Sequence, residues 1–302
     1  MAILQRVLLV SWFSIMSIFL PCDPTFAASS SNISSDIFNT GIDNIHQQNY
    51  SQALIDFTQV IERQEDFVSA AYSNRCLVNL QLQNYAAAKT DCIGAIQDNF
   101  SNQEAQLNLG LVYYRQGEYA QAIAQYELVI QQNGADYRAY YNQGLSYQAL
   151  NNYQKAIANY DQALLRSRDL NPELKSLIYN DLALAYMMLS KNEPAIFNFE
   201  QAIALNANNY SAYYNRGCAY HRQGKYQVAI KDFSRTVQLK PDFTQAYVHR
   251  GILNHQIGAV DNAVDDLNSA LEQYHQQGNS EQYDLVNNLK QQLFYAQPNQ
   301  IA

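Results

Sequence analysis

The sequence predicts an all-α solenoid of seven helix-turn-helix repeats closed by one C-terminal capping helix. An alanine recurs as Ala53, Ala88, Ala122, Ala156, Ala195, Ala229 and Ala263, at gaps of 35, 34, 34, 39, 34 and 34 residues. A small residue recurs ahead of it as Gly41, Cys76, Gly110, Gly144, Ala183, Gly217 and Gly251. Four residues past each alanine stands Phe57, Cys92, Tyr126, Tyr160, Phe199, Phe233 or Leu267. A fixed period of this length marks a unit that cannot bury its apolar sides alone and must stack on copies of itself.

The stretch from Ala212 to Asp242 shows the unit most fully. Tyr213, Gly217 and Tyr220 fall on neighbouring turns of one side of a first helix. Gln223-Gly224-Lys225 makes the turn, with glycine free to take the left-handed conformation at a helix end. Ala229 and Phe233 belong to a second helix, and Pro241 stops it. Gly217 and Ala229 let the helices approach, while the rings fill the space beside them.

This order of residues resembles the tetratricopeptide repeat family. Its aromatic, leucine-glycine and tyrosine positions are Tyr213, Arg216-Gly217 and Tyr220, and its alanine, phenylalanine and proline are Ala229, Phe233 and Pro241. Tyrosine usually replaces the family's tryptophan, and Arg75, Gln143, Arg216 and Arg250 stand where it has leucine. The likeness runs from Ser34 to Tyr274. It implies a right-handed superhelix whose first helices line an inner wall.

In chain order, residues 1–27 have the form of an export signal. Arg6 supplies a basic start, Val7 to Leu20 an apolar core too short for a good membrane span, and Thr25-Phe26-Ala27 a cleavage site near Ala27. A retained anchor, or lipidation at Cys22, is the alternative. Residues 28–33 are a polar linker, 34–278 the seven repeats, 279–296 the capping helix and 297–302 a tail. The long gap between Ala156 and Ala195 holds Asn171-Pro172-Glu173, a cap, a first-turn proline and an acid, so the fifth repeat's first helix is predicted to begin at Pro172. In the last helix Tyr283, Val286, Leu289, Leu293 and Phe294 form an apolar stripe suited to covering an open solenoid end.

The net charge is −8, and removing residues 1–27 takes one base (Arg6) and one acid (Asp23), leaving it unchanged. An acidic chain lacks the basic face that phosphate backbones require, so nucleic acid is excluded as the expected partner. Cys76 and Cys92 occupy packing columns, which reads them as buried small apolar residues. Their place on paired helices of one hairpin leaves a disulfide in an oxidising compartment as the alternative.

The inner wall follows from spacing. Two residues before each small residue stands Asn39, Asn74, Asn108, Asn142, Asp181, Asn215 or His249. One after it stands Ile42, Leu77, Leu111, Leu145, Leu184, Cys218 or Ile252. Residues three apart on a helix are neighbours, so a ladder of amides runs beside a ladder of aliphatics, with Tyr141, Tyr214, Phe38, Leu107 and Tyr114 adding apolar surface. An amide both donates and accepts, so it can pair with a peptide bond whatever the peptide's sequence. The column is similar to the asparagine ladder of the repeat superhelix in protein O-linked sugar transferases, with Asp181 and His249 departing from it. Asparagines that only cap or solvate are the bland reading. The basic inner residues of carboxylate-clamping repeat domains are missing, since Phe38, Ile42, Asn74, Glu104 and Asn108 stand at those places.

Cys218, His221, His249 and His255 form the one candidate metal cluster, on two neighbouring inner helices. Every glycine that might cradle a phosphate is explained by the repeat, and no nucleophile stands beside a supporting base. The sequence therefore predicts a non-enzymatic, cofactor-free, exported scaffold that binds extended segments of other proteins and serves assembly or maturation of an envelope or membrane complex. A metal-handling carrier and a self-assembling scaffold are the alternatives. Membrane contact is expected only if the signal segment stays attached.

Overall fold

A computed structural model describes residues 33–167 and 170–295, so the signal, the tail and most of the linker lie outside the described residues. Every regular element among them is a helix, and no helix there is long and apolar enough to cross a membrane. The described residues divide into two compact units, one ending at Gln116 and the other beginning at Gly117.

The first unit holds α1 (Ile33–His46), α2 (Tyr50–Arg63), α3 (Val68–Gln81), α4 (Tyr85–Asp98) and α5 (Gln103–Arg115). α1 packs on α2 and α3 on α4 as antiparallel hairpins, each turned by one residue in the left-handed region, Gln48 (φ 62°) and Gln83 (φ 60°). Phe38, Phe57, Val60, Ile61, Ala71 and Val78 make one core, in which Phe38 meets Phe57 edge-on at 5.7 Å and stacks on Phe67 at 5.2 Å.

The second unit holds α6 (Tyr119–Gln132), α7 (Tyr137–Ala149), α8 (Tyr153–Arg166), α9 (Pro172–Met188), α10 (Asn192–Leu205), α11 (Tyr210–Arg222), α12 (Tyr226–Leu239), α13 (Thr244–Gln256), α14 (Val260–Gln276) and α15 (Ser280–Tyr295). Its hairpins are α7/α8, α9/α10, α11/α12 and α13/α14, and α15 lies on α14. Gly224 turns the α11/α12 hairpin at φ 73°, as its position in the sequence requires. α9 begins at Pro172, with the Asn171 side chain accepting a hydrogen bond from the Leu174 amide at 2.8 Å. The stripe of α15 packs through Val286, Tyr283, Leu289, Leu293 and Phe294 against Val248, Ile252, Leu267 and Leu271.

The recurring columns lie where paired helices approach closely. All seven column alanines are fully buried. A Cβ on Gly41 would stand 2.8 Å from the Phe57 ring, one on Gly217 2.9 Å from Phe233, and one on Gly144 2.7 Å from Tyr160. Gly144→Ala is therefore expected to cost about 2 kcal/mol through overpacking, read as a lower urea midpoint at unchanged slope. A midpoint within error of wild type would show that the Tyr160 ring shifts without strain.

The arginines at the leucine position have a structural cause. Arg75 grips Asp91 with two nitrogens at 2.6 and 3.0 Å, Arg216 grips Asp232 at 2.8 and 2.9 Å, and Arg250 grips Asp266 at 2.6 and 3.0 Å. Each pair joins the two helices of one hairpin sixteen residues apart. Arg75 also donates to Thr58 and Arg250 to Ser234, both on the preceding repeat's second helix. One guanidinium thus ties its own hairpin and the neighbouring one. The cost falls on the acid: burial raises the Asp232 carboxyl despite Arg216, while Arg216, itself opposed by burial, is raised by Asp232.

A second stitch appears in both units. Asn102 donates to Ser69, which donates to the Ala95 carbonyl; Asn209 donates to Ser176, which donates to the Ala202 carbonyl. Asn102 and Asn209 also cap α5 and α11 by accepting from Ala105 and Ala212. A single side chain thereby starts one helix and holds the repeat before it.

Candidate functional site: the inner faces of the first helices

Within the first unit α1 touches α3 and α3 touches α5, and within the second α9 touches α11, while no pair of second helices packs comparably. First helices lie closer together than second helices, so in each unit they form the inner side of the curve. The predicted site residues all stand on them.

In the first unit Asn39 is exposed. Asn74 is buried, and its amide donates to its own helix at the Ala70 carbonyl, 3.0 Å away. Half-buried Asn108 reaches the Ser73 carbonyl on the preceding first helix at 3.4 Å. In the second unit Asn142 is half-buried, and its side-chain amide has no hydrogen-bond partner among the described residues. Asp181 is 8 % exposed and accepts from the Tyr141 hydroxyl at 2.7 Å and from the Asn180 amide at 3.2 Å. Asn215 donates to the Asn180 oxygen at 3.1 Å. A hydrogen-bonded chain Tyr141–Asp181–Asn180–Asn215 therefore crosses α7, α9 and α11.

Asn180 was invisible as a functional residue in the sequence, because it lies outside the repeating column. Its only signal was a second amide beside Asp181. Burial pushes the Asp181 carboxyl from the ordinary 3.8 up to about 6, against the pull of the Tyr141 and Asn180 hydrogen bonds.

The aliphatic column corrects an expectation. Leu77, Leu111, Leu145 and Leu184 are 4 to 9 % exposed, and Ile42, Cys218 and Ile252 are buried with them. They do not form an open apolar wall. Ile42, Leu111 and Ile252 lie in the hydrophobic clusters that join first and second helices. Tyr141 is buried too, and Tyr214 stands edge-on to Phe243 at 4.9 Å and to His249 at 5.6 Å. The inner faces thus carry polar groups over a buried aliphatic column.

The candidate metal ligands are engaged separately. His249 is 1 % exposed, held between Tyr214 and the Phe233 ring (5.5 Å), and neither ring nitrogen has a partner. Burial, with the nearby His221, pushes it down to about 4. His221 packs against Tyr226, and His255 faces the Leu293 carbonyl and the Phe294 ring. Burial pushes the Cys218 thiol up to about 12. Among the described residues no three histidines, cysteines or acids are placed to hold a metal ion.

Sequence models described as tetratricopeptide repeat match residues 103–136, 136–208 and 210–243. The chain is a tetratricopeptide repeat protein. No curated protein matches it in sequence. Its fold is similar to a tetratricopeptide repeat protein from Parabacteroides merdae, with TM-score 0.63 and 18 % identity over 84 % of this chain and 98 % of that one. It is also similar to PilF of Pseudomonas aeruginosa, with TM-score 0.62 and 21 % identity over 73 % and 97 % of the two chains. A third likeness is to YrrB, described as a TPR protein with an unusual peptide-binding site, with TM-score 0.52 and 19 % identity over 66 % and 97 %. At these identities the likeness is one of fold. Tetratricopeptide repeat arrays generally act as non-catalytic scaffolds for protein–protein interaction, and the solenoid fold of this chain supports that role.

Proposed function

We propose that this tetratricopeptide repeat protein is an exported scaffold that holds extended segments of partner proteins along the inner faces of its first helices. It serves assembly or maturation of an envelope or membrane complex and performs no chemistry of its own. The observation that carries the reading is the state of the amide column. Asn39 in the first unit and Asn142 in the second keep their amides available, and Asn108 and Asn215 are partly open. Such groups can donate to and accept from a peptide backbone without regard to its side chains. The peptide-binding site described for YrrB, on the same fold, supports the reading.

Export rests on the signal-like residues 1–27, with cleavage near Ala27. The disulfide between Cys76 and Cys92 supports an oxidising compartment. The acidic balance of −8 favours protein partners over nucleic acid.

A photo-crosslinking amino acid placed at Asn142, in cells of the source organism, is expected to yield discrete partner adducts. The same group at exposed Leu165 on α8 is expected to yield none. Asn142→Ala, removing one backbone contact, is expected to weaken capture of the identified segment by about five- to tenfold. Equal adducts from both positions, or none from position 142, would sink the inner-face reading.

A further inference from the structure

In the α1/α2, α7/α8, α11/α12 and α13/α14 hairpins the small residue of the first helix faces a residue of the second helix sixteen positions later. Gly41 faces Phe57, Gly144 faces Tyr160, and Gly217 faces Phe233, each ring wedged against a glycine. In the α3/α4 hairpin the same two places hold Cys76 and Cys92, joined as a disulfide with Cα atoms 5.4 Å apart. Here a covalent bond replaces the wedge.

Three observations give this exchange a consequence. Both cysteines are fully buried, so no reagent reaches the sulfurs once the hairpin has closed. They share a core cluster with Leu80, Ala88, Leu109, Leu111 and Val112, so the bond sits where α3 and α4 receive α5. Arg75 and Asp91, the sequence neighbours of the two cysteines, pair across the same crossing. Without the bond, the hairpin has neither a crosslink nor a ring at its closest approach.

We propose that the α3/α4 hairpin is a substrate for a disulfide-bearing thiol oxidant, and that the first unit reaches its native packing only after that oxidation. The thiolate of one cysteine attacks the oxidant's disulfide, forming a mixed disulfide and releasing one oxidant thiolate. The thiolate of the other then attacks the protein sulfur of that bond, forming Cys76–Cys92 and releasing the second oxidant thiolate. Two electrons and two protons leave the pair, and the oxidant's disulfide becomes a dithiol. Because the sulfurs end up buried, exchange takes place while the hairpin is open and closing protects the product. This inference stands apart from peptide binding, since it concerns how the first unit forms.

The test refolds the full chain with oxidised glutathione or with dithiothreitol and reads backbone amide exchange helix by helix. In oxidised glutathione, peptide mapping is expected to find Cys76 linked to Cys92 and α3, α4 and α5 protected. In dithiothreitol those helices are expected to exchange about tenfold faster or more, with the thermal midpoint lower by on the order of 10 °C, while α11–α14 keep their protection. The double variant Cys76→Gly with Cys92→Phe restores the glycine–ring pair of the other hairpins. It is expected to fold equally well in both conditions. Wild type with the same protection in dithiothreitol as in oxidised glutathione would overturn the proposal. So would a double variant that keeps the reductant sensitivity of wild type. Should the double variant fail to fold, the wild-type comparison still decides.

Discussion

Asp266→Ala is expected to destabilise the second unit by about 3 kcal/mol or more. Asp266 accepts two nitrogens of Arg250 and the amide of Asn254 at 3.0 Å. Its side chain is 7 % exposed and that of Arg250 20 %. Removing the acid leaves a mostly buried guanidinium without its counter-charge and frees the Ser234 contact on the neighbouring repeat. The pair itself adds little net stability, because desolvation offsets most of the attraction; the loss comes from breaking one half. Arg250→Met with Asp266→Leu should therefore recover most of the stability, which separates the two contributions. Urea unfolding followed by amide exchange on α13 and α14 is the measurement. A single-variant loss under about 1 kcal/mol, the value of an exposed pair, would mean that water reaches the guanidinium far more than the geometry implies.

Asp181 governs the second prediction, which concerns pH. Its carboxyl titrates at about 6 in the folded chain against the ordinary 3.8, because it is buried between α7 and α9. The folded state therefore holds the proton more tightly than the unfolded state does. The stabilising contribution is fully present below about pH 4 and is lost as pH rises through about 6. The tighter hold on the proton corresponds to about 3 kcal/mol. Asp181→Asn is expected to flatten the stability curve across this window and to exceed wild type at pH 8 by about 2 kcal/mol, about 1 kcal/mol being given up where the new amide meets the Asn180 amide. Parallel curves for the two proteins between pH 4 and 7 would refute the assignment. Tyr141→Phe supplies a second reading, since losing its donor to Asp181 should move the titration further up.

The repeat grammar was legible because packing at close approach admits few residue types. Where a first helix and a second helix approach most closely, one offers a small residue and the other a ring or an aliphatic, the cysteine pair of α3/α4 excepted, and that rule writes itself into the sequence every 34 residues or so. The same grammar located the start of α9 at Pro172 and the stripe of α15. Arg216 and Arg250, noticed as departures from leucine, were half of a signal. The other half was the acid sixteen residues on, and pairing them needed the crossing geometry of the hairpin.

Sequence by itself determined the all-helical repeat architecture, the family and the position of the inner columns, because each follows from spacing along a chain of fixed helical pitch. Tertiary structure alone decided which side chains of those columns are buried and which are hydrogen-bonded. The aliphatic column is buried in the packing of the repeats, and amides a repeat apart find partners on the adjoining helix, as Asn215 does on Asn180. The two cysteines likewise needed three dimensions, since an approach of 5.4 Å between their Cα atoms separates a bond from two buried thiols. Spacing fixes which way a side chain points, whereas lateral packing between repeats decides whether it meets water, a guest or its own neighbour.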